Sequence, residues 1–416
     1  MSATDSMIIV GAGQCGARAA HSLRENGWDG TVTLLGDEGL SPYERPPLSK
    51  SVLLGQRTTA ECALYDDTFY RDHCIDLRVD AKAAAIDRAE HKVILTNGDT
   101  LGYHRLLIAT GARPRRLELP GATLAGVHVL RDVHDAHAIA EELIPGRRIA
   151  VIGAGFIGLE IASSAVARGC EVIVLEAAPR ALMRAVPEVV AERLVEEHRK
   201  RGVEVRFGVQ VERLVGTARV SGVTLTDGTT VACDAVIAGI GVTPRTELAQ
   251  AAGMDVANGI VVDETLCTRD PHIFAAGDVC SFPHPLYGGQ MIRLECWKNA
   301  GDQARVAARN MLGHGETYTV VPWFWSDQYD MTIQIAGLPA FGKTTVVRET
   351  GVTSRVFFAL DGDGVLVGAS GVGQVREIAR EVRIGQELIA RRARVDPRSL
   401  ADSNTKLKSL LTMETL

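Results

Sequence analysis

The chain has 416 residues, of which 46% are hydrophobic and 23% charged, and its formal net charge at pH 7 is −6. This balance is typical of a globular protein with two or three domains, and the acidic charge argues against general binding of nucleic acids. No apolar run reaches the roughly 18 residues of a membrane span, and the start, MSATDSMIIVGAG, lacks the basic region of a secretory signal. The sequence therefore predicts a cytoplasmic protein.

An internal repeat is the first signal along the chain. Residues 7–18, MIIVGAGQCGAR, combine an apolar run, the pattern G-x-G-x-x-G and a helical segment, and the apolar run TVTLLG follows at 31–36. Residues 149–160, IAVIGAGFIGLE, repeat this order, with EVIVLE at 171–176. Strand, glycine turn, helix and strand make up a dinucleotide-binding unit.

The glycines of the two patterns have separate roles. The first permits the tight turn, the second lets the backbone approach a pyrophosphate, and the third lets the helix pack on the strand. The helix N-terminus then faces the phosphates with its N–H groups. These glycines are Gly11, Gly13 and Gly16 in the first unit and Gly153, Gly155 and Gly158 in the second.

The stretch SPYERPPLSK at 41–50 is too broken for a strand and too constrained for a free linker. Pro46 is expected to keep Arg45 out of the helical conformation, and Pro47 to do the same to Pro46. We therefore expect a helix to begin at a fixed angle, with Lys50 in its first turn.

The same shorter pattern follows each unit. Residues 91–114 predict a hairpin with a turn at Asn97-Gly98-Asp99, followed by a strand that ends in ATG. Residues 219–244 repeat this design with a turn at Asp227-Gly228. The larger arrangement is therefore duplicated as well.

The remaining chain adds one strand and a different kind of domain. CTRDPHIFAAGDVC at 267–280 predicts a strand ending at Gly277-Asp278. From about Val320, PWFWSDQ opens a segment with several strand patterns, and the helical pattern REIAREVRIGQELIARRAR follows. This segment predicts a third, α+β domain.

Two dinucleotide units, a strand ending in ATG and a later FAAGD together resemble the flavoproteins with two dinucleotide-binding domains, which include glutathione-reductase-like enzymes. PYERPPLSK, GAGFIGLE, AAGD and PWFWSDQ resemble more closely the ferredoxin reductases of bacterial ring-hydroxylating dioxygenase and cytochrome P450 systems. PYERPPLSK alone also resembles apoptosis-inducing-factor-like proteins and monodehydroascorbate reductases.

The resemblance implies an α/β fold with two Rossmann-like (glutathione-reductase-like) domains and a C-terminal α+β domain. It implies a discontinuous FAD-binding domain at 1–112 and 244–319. It places an NADH-binding domain at 113–243 and the C-terminal domain at 320–416.

Several residues are candidates for FAD contacts. The acid that binds the ribose is expected where Gly36 ends the second strand, and similarity to the reductases assigns this role to Asp37 directly after it. A solvated acidic turn is the alternative. The resemblance implies that Asp278 accepts a hydrogen bond from a ribityl hydroxyl. It also implies cofactor contacts at Arg45, Arg131, Glu295, Trp297 and Trp325. The alternative for Arg131 is an exposed arginine at the start of a helix, and the alternative for Trp297 and Trp325 is that they are ordinary core residues.

Glu176 closes the second strand of the nucleotide unit, where a ribose-binding acid is expected. A 2′-phosphate there would meet a negative charge, which predicts NADH over NADPH. Arg180 and Arg184 follow closely and would counter this preference. Further candidate nucleotide contacts are Ile157, Arg184 and Gly241.

Glu160 lies two residues after the third glycine, where the first unit has Arg18. The resemblance implies that Glu160 faces the nicotinamide and pairs with Lys50 beside the flavin, and these two are the candidate catalytic residues. NADH would give a hydride to FAD N5, Lys50 would stabilise the negative charge of the reduced flavin, and Glu160 would hold Lys50. The alternative for Glu160 is an exposed acid stabilised by the helix dipole.

The eight cysteines include no C-x-x-C or other close pair, which argues against a redox dithiol or a bound metal centre. Disulfide reductases of this superfamily carry a C-x4-C pair where this chain has PPLSK. The resemblance therefore implies that electrons pass singly to a [2Fe–2S] ferredoxin that feeds an oxygenase. An NADH sensor of the apoptosis-inducing-factor type, or reduction of rubredoxin or monodehydroascorbate, is the alternative.

A ferredoxin is usually acidic, so a basic docking patch is expected. Residues 376–408 carry nine Arg or Lys and five acids, a local charge of +4. Lys408, which is one of these nine, and Arg305 and Arg309 outside the segment are candidate docking residues. A merely solvated helix surface is the alternative. The sequence is compatible with a monomer or a homodimer.

Overall fold

The structure is a computed structural model that describes residues 6–66, 68–183 and 185–412. The chain forms two compact units. The first contains the described residues of Met1–Glu44, Thr59–Arg113 and Thr243–Val320, and the second those of Arg45–Thr58, Pro114–Val242 and Val321–Leu416. The second unit thus includes both the second glycine pattern and the C-terminal segment. The three-domain division drawn from the sequence stays a prediction.

Short strands and a smaller number of helices follow one another along the chain. Up to residue 114 they are β1 (Ser6–Val10), α1 (Gln14–Glu25), β2 (Thr31–Leu35), α2 (Phe69–Asp72), β3 (Ile75–Arg78), β4 (Ala83–Asp87), β5 (Lys92–Leu95), β6 (Thr100–Gly102), β7 (Arg105–Ile108) and β8 (Ala112–Pro114). The following segment has β9 (Val127–His128), α3 (Val133–Glu142), β10 (Arg148–Ile152), α4 (Phe156–Ala167), β11 (Glu171–Glu176), α5 (Glu188–Lys200), β12 (Glu204–Phe207), β13 (Val211–Gly216), β14 (Val220–Leu225), β15 (Thr230–Ala232) and β16 (Ala235–Ala238).

The chain continues with β17 (Val242–Pro244), α6 (Glu247–Ala251), β18 (Val256–Ala257), β19 (Gly259–Val261), β20 (Ile273–Ala275), β21 (Cys280–His284), β22 (Gln290–Ile292) and α7 (Trp297–Met311). The C-terminal segment has β23 (Trp323–Gln328), β24 (Met331–Gly337), β25 (Thr344–Glu349), β26 (Arg355–Leu360), β27 (Leu366–Gly373), α8 (Val375–Ala390) and α9 (Pro397–Ala401).

The first unit is built on a parallel sheet with the strand order β20, β7, β1, β2, β3. Strand β1 is buried beyond its first residue, as parallel strands covered on both faces are. Helix α1 buries Ala17, Ala20 and Leu23 in the same core. Strands β2 and β7 flank β1 on opposite sides, and ligands of such sheets bind at the carboxyl ends of the strands beside this point.

The second unit repeats this arrangement with the parallel order β12, β11, β10, β16, β9. Each unit also carries a three-stranded antiparallel sheet, β4–β5–β6 in the first and β13–β14–β15 in the second. The predicted turns are present, since Gly98 and Gly228 have φ of +91° and +86°. The predicted internal repeat is therefore confirmed at the level of the fold.

The C-terminal segment forms an antiparallel sheet with the order β23, β24, β27, β26, β25, against which α8 packs. The helix approaches closely at Gly371, where a Cβ would lie 2.8 Å from Val382 Cγ2 and 3.0 Å from Ile378 Cβ. The predicted α+β character of this segment is confirmed.

Candidate functional site

The first glycine turn joins β1 to α1. Gly11 has φ of +116°, and a Cβ there would lie 2.2 Å from the carbonyl oxygen of Ala109. A Cβ at Gly16 would lie 1.9 Å from the Gly11 oxygen, whereas one at Gly13 would have no heavy atom within 4 Å. The first and third glycines are therefore required by packing, and the second leaves open space beside the helix N-terminus, where a phosphate binds.

The second glycine turn has the same geometry. A Cβ at Gly153 would lie 2.4 Å from the Gly239 oxygen and one at Gly158 2.2 Å from the Gly153 oxygen. A Cβ at Gly155 would meet nothing closer than 3.9 Å. The α4 N-terminus is therefore open in the same way.

Glu176 ends β11 next to this turn. Its carboxylate accepts hydrogen bonds from the backbone N–H of Ala154 at 2.6 Å and of Ala178 at 2.7 Å. These bonds fix the carboxylate beside the turn, and each oxygen keeps a further lone pair for a ribose hydroxyl. Arg180 donates to the backbone oxygens of Ala181, Met183 and Val186. Its guanidinium is thus engaged in its own loop. Arg184 lies outside the described residues.

The predicted FAD contacts of the first unit lie at the ends of its parallel strands. Asp37 is exposed and its Oδ2 lies 3.6 Å from Arg245 Nη1, whereas the neighbouring Glu38 accepts a 2.6 Å bond from the Tyr43 hydroxyl. Asp278 follows β20 in a short 3₁₀ turn, and its backbone oxygen accepts from Arg293. Asp37 is therefore the more accessible of the two acids that follow β2.

Two glutamines missed in the sequence lie in this unit. Gln303 is fully buried, and its Oε1 accepts from the Gly277 N–H at 2.7 Å, which anchors the turn that carries Asp278. Gln14 opens α1 directly after Gly13, and its Oε1 is buried without a hydrogen-bond partner among the described residues. Buried polar atoms require a partner. An unpartnered acceptor beside an open glycine turn fits a bound dinucleotide.

The other predicted contacts of the first unit lie at the start of α7. Trp297 is half-buried as the first residue of this helix. Glu295 precedes it, 42% exposed, and forms a 2.6 Å ion pair with Arg293.

The segment after Tyr43 differs from its prediction. Pro46–Ser49 form a 3₁₀ helix, and Lys50 follows this helix as its C-cap residue instead of lying in the first turn of an α-helix. Arg45 has φ of −80° and ψ of −30°, so the expectation that Pro46 excludes helical conformation at Arg45 was wrong. The same expectation for Pro46, which precedes Pro47, was also wrong, because Pro46 lies in the 3₁₀ helix. The steric preference is overcome by local bonding, because Leu48 N–H donates to the Arg45 oxygen at 3.0 Å.

Lys50 and Glu160 form an ion pair within the second unit, with Nζ 2.8 Å from Oε1. The Glu160 side chain is only 6% exposed and that of Lys50 22%. The Ser49 hydroxyl donates to Glu160 Oε2 at 2.5 Å and the Ser326 hydroxyl donates to Oε1 at 2.6 Å. The alternative that Glu160 is an exposed acid in the first helical turn is therefore excluded. Its carboxylate has three donors, Lys50, Ser49 and Ser326, as a buried charge requires.

Ser49 and Ser326 were not identified from the sequence, although each lies inside a quoted motif, PPLSK or PWFWSDQ. The Ser49 backbone is fixed in turn, since the Ser164 hydroxyl donates to its oxygen at 2.8 Å. Gln328, which hydrogen-bonds Ser326, also lies in PWFWSDQ, whereas its partner His198 lies outside every motif found in the sequence.

The remaining candidates of the second unit occupy several positions. Arg45 Nη1 donates to the Arg131 backbone oxygen at 2.8 Å. Ile157 is 41% exposed on the first turn of α4, and Gly241 is exposed with φ of +96°. Trp325 stacks on Trp323 with centroids 5.4 Å apart, and its Nε1 donates to Asp327.

The candidate docking residues differ in availability. Arg305 pairs with Asp302 at 3.3 Å, and Arg309 makes two bonds to Glu316, at 2.5 and 2.6 Å. Lys408 is exposed. The other eight basic residues of 376–408 are likewise exposed.

All eight cysteines fall within the described residues and are free thiols. Burial raises the pKa of Cys15 well above its ordinary value and that of Cys280 to about 12. In the described part of the chain, no three His, Cys, Asp or Glu side chains are grouped so that they would hold a metal ion. No helix in the same part is long and apolar enough to cross a membrane.

Two strand–glycine turn–helix units with open helix N-termini define a protein that binds dinucleotides. The family model of the pyridine nucleotide-disulphide oxidoreductases matches residues 5–306, and the model of the reductase C-terminal domain matches residues 323–411. The chain belongs to the pyridine nucleotide-disulphide oxidoreductase family.

Its relatives within this family include ferredoxin reductases. The chain is 42% identical to the ferredoxin–NAD(+) reductase component of the anthranilate 1,2-dioxygenase system of Burkholderia cepacia, over 98% of this chain and 99% of the relative. The ferredoxin reductase for the CYP199A2 system from Rhodopseudomonas palustris superposes with a TM-score of 0.93 at 37% identity, covering 98% of this chain and 100% of that chain. The putidaredoxin reductase–putidaredoxin complex matches with a TM-score of 0.92 at 36% identity, covering 99% of both chains.

Proposed function

We propose that this protein is an FAD-dependent NADH:ferredoxin reductase, whose [2Fe–2S] ferredoxin feeds an oxygenase of the cytochrome P450 or ring-hydroxylating dioxygenase kind. The observation that carries the proposal is the Lys50–Glu160 ion pair in the second unit. Segment 46–50, which supplies Lys50, contains no cysteine. This segment therefore presents a charge in place of an internal electron acceptor, and the electrons have to leave for a separate protein.

The first unit fits FAD. When bound, FAD supplies the chemistry of accepting a hydride and releasing electrons singly. The turn Gly11–Gly16 and the α1 N-terminus would hold the pyrophosphate. Asp37 would bind the ribose and Asp278 the ribityl chain. Further contacts proposed from the resemblance are Arg45, Arg131, Glu295, Trp297 and Trp325.

The second unit fits NADH. The Gly153–Gly158 turn and the α4 N-terminus would hold its pyrophosphate, and Glu176 would accept hydrogen bonds from the ribose hydroxyls. Ile157 and Gly241 lie at exposed positions of this unit where they would contact the nucleotide. Arg184 completes the proposed set.

Lys50 and Glu160 would act electrostatically, by stabilising the negative charge of the reduced flavin. A fixed cation stabilises negative charge that develops during reduction, and it costs no reorganisation because it is already in place. Glu160 binds Lys50 Nζ and fixes its position. Transfer of a hydride requires positioning and no acid or base, so neither residue has to donate a proton.

Replacing Glu176 by Ala is expected to narrow the preference for NADH over NADPH by several-fold, because the carboxylate repels a 2′-phosphate. The measurement is kcat/KM for both nucleotides with a ferredoxin acceptor. Glu171→Ala is the matched control, since Glu171 is exposed at the other end of β11. An unchanged ratio in Glu176→Ala would remove Glu176 from the nucleotide site.

Basic residues of 376–408 are proposed to dock the acidic ferredoxin. Lys408→Glu is expected to raise KM for ferredoxin by about threefold to tenfold at low salt, and the difference should shrink as salt screens the charges. Arg71→Glu, at another exposed arginine, in α2, is the control. A flat salt profile for ferredoxin reduction by the wild-type protein would argue against an electrostatic patch.

The proposed reaction is tested by mixing NADH-reduced protein with a [2Fe–2S] ferredoxin in a stopped-flow instrument. Rapid reoxidation of the bound FAD, and cytochrome c reduction that depends on added ferredoxin, are expected. A long-lived reduced complex with NAD that ferredoxin does not reoxidise would instead identify an NADH sensor. If only rubredoxin or monodehydroascorbate reoxidised the flavin, the protein would still be a reductase, but its electron acceptor would not be a ferredoxin.

We also propose a cytoplasmic location. The eight free thiols support it, because thiols stay reduced in that compartment.

A further inference from the structure

A buried line of hydrogen bonds leads from Glu160 into the interior of the second unit. Ser326 Oγ lies 2.6 Å from Glu160 Oε1 and 3.0 Å from Gln328 Nε2. Gln328 Oε1 lies 2.7 Å from His198 Nε2, and His198 Nδ1 lies 2.9 Å from the Tyr329 hydroxyl. We call Ser326, Gln328, His198 and Tyr329 the donor chain.

The direction of every bond in the donor chain follows from donor and acceptor capacity. Ser326 has one hydroxyl proton, which the Glu160 carboxylate accepts, so Ser326 has to accept from the Gln328 amide. Gln328 Oε1 then faces His198 and needs a donor, so the proton of the imidazole lies on Nε2.

The far end of the donor chain is fixed in the same way. His198 Nδ1 becomes an acceptor, and the Tyr329 hydroxyl donates to it. Every donor in the line therefore points toward Glu160, and hydrogen bonds aligned in one direction polarise and strengthen one another.

Burying several polar side chains costs free energy, which argues that the donor chain serves a function. Glu160, His198, Ser326 and Gln328 are at most 6% exposed, and buried polar networks are often replaceable by apolar residues without loss of stability. Burial lowers the pKa of His198, so the ring is neutral near pH 7, as the donor chain requires.

Tyr329 adds local strain. It has φ of +58° in the two-residue connection between β23 and β24, where glycine or asparagine would be unstrained. Its phenol nevertheless reaches His198, and burial raises its pKa to about 12, so it remains a donor.

We propose that the donor chain positions Glu160, and through it Lys50, so that His198 and Gln328 are positioning residues for reduction of the flavin. This inference rests on the proposed function of Lys50. The Gln328 amide interrupts any path for proton transfer, so the role of the donor chain is to orient the Glu160 carboxylate. Without it, Ser326 can rotate away from Glu160, and the carboxylate keeps only Ser49 and Lys50 as donors.

The test replaces Gln328 by Met, which keeps the length of the side chain and removes both polar atoms. At saturating NADH we expect the rate of FAD reduction to fall about tenfold with KM unchanged, as for a modest misplacement of a charged group. The double variant His198→Leu/Gln328→Leu, which removes both partners of one bond, is expected to behave in the same way and guards against a folding defect. Thr332→Val is the control, because Thr332 is buried in the adjacent strand and its hydroxyl has no partner among the described residues.

A double-mutant cycle separates positioning from general damage. If Gln328 acts through Lys50, then adding Gln328→Met to Lys50→Met should cause no further loss of rate. Equal losses in both backgrounds would overturn the positioning role and leave the proposed reductase activity intact.

The histidine tautomer gives a readout that does not depend on activity. In ¹⁵N-histidine spectra at pH 7, assigned with His198→Leu, we expect a protonated Nε2 with slow solvent exchange, and loss of this single tautomer in Gln328→Met. An Nδ1–H tautomer in the wild-type protein would overturn the donor chain. Failure of the protein to pass electrons from NADH to ferredoxin would instead overturn the proposed function, while the tautomer still decides the donor chain.

Discussion

Replacing Lys50 by Met is expected to slow the reduction of bound FAD by NADH about a hundredfold, the effect of removing one fixed charge or donor from a site where negative charge develops. Methionine keeps most of the length of the lysine side chain and removes the ammonium group, with its charge and its N–H donors. Glu160 retains the hydroxyls of Ser49 and Ser326, so the carboxylate stays hydrogen-bonded and the fold should persist. The measurement is the single-turnover rate at saturating NADH, followed by flavin absorbance.

Lys200→Met is the matched control for this substitution. Lys200 also pairs with a glutamate, Glu197 at 4.0 Å, but it is 60% exposed on α5. An exposed pair of this kind contributes little, so its loss should leave the rate unchanged. A Lys50→Met rate equal to that of the wild type would show that Lys50 has no part in flavin reduction.

Arg348→Met is expected to lower the free energy of unfolding of the second unit by about 3 kcal/mol, as breaking a buried charged network does. Arg348 lies in β25, is 4% exposed, and donates to the backbone oxygens of Leu400, Asp402, Ser403 and Thr405. It also lies 3.5 Å from Glu381 on α8. One guanidinium thus anchors the end of α9 and the residues that follow it. Its removal leaves those carbonyls without their donor and the Glu381 carboxylate without its ion-pair partner.

The measurement is denaturant unfolding together with limited trypsin digestion. Cleavage after Lys406, which is exposed beyond the anchored carbonyls, should become faster in Arg348→Met. The control is Arg355→Met in the neighbouring strand, where a half-exposed arginine pairs with Glu349 at 2.8 Å, and its loss should cost under about 1 kcal/mol. Equal effects of the two substitutions would contradict the anchoring role.

The local parts of the fold were predictable because each is encoded within a short stretch. The glycine patterns mark the turns where a Cβ would collide with a neighbouring backbone oxygen, and the apolar runs on either side are buried parallel strands. The hairpin turns at Gly98 and Gly228 follow from the same kind of local rule. The sequence was less reliable at SPYERPPLSK, where the pre-proline preference of Arg45 was overcome by one backbone hydrogen bond.

The sequence by itself determined two dinucleotide-binding units, a separate C-terminal α+β segment and, by resemblance, a pairing of Lys50 with Glu160. Only the tertiary structure decided how that pair is held. Ser49 and Ser326 reach Glu160 from positions 111 and 166 residues away, and His198 meets Gln328 across 130 residues. Such contacts depend on how four distant segments pack, and a serine, glutamine or histidine has no periodic pattern that indicates its partner. The physical reason is that turns and strands are set by neighbours in sequence, whereas a buried charge is satisfied by neighbours in space.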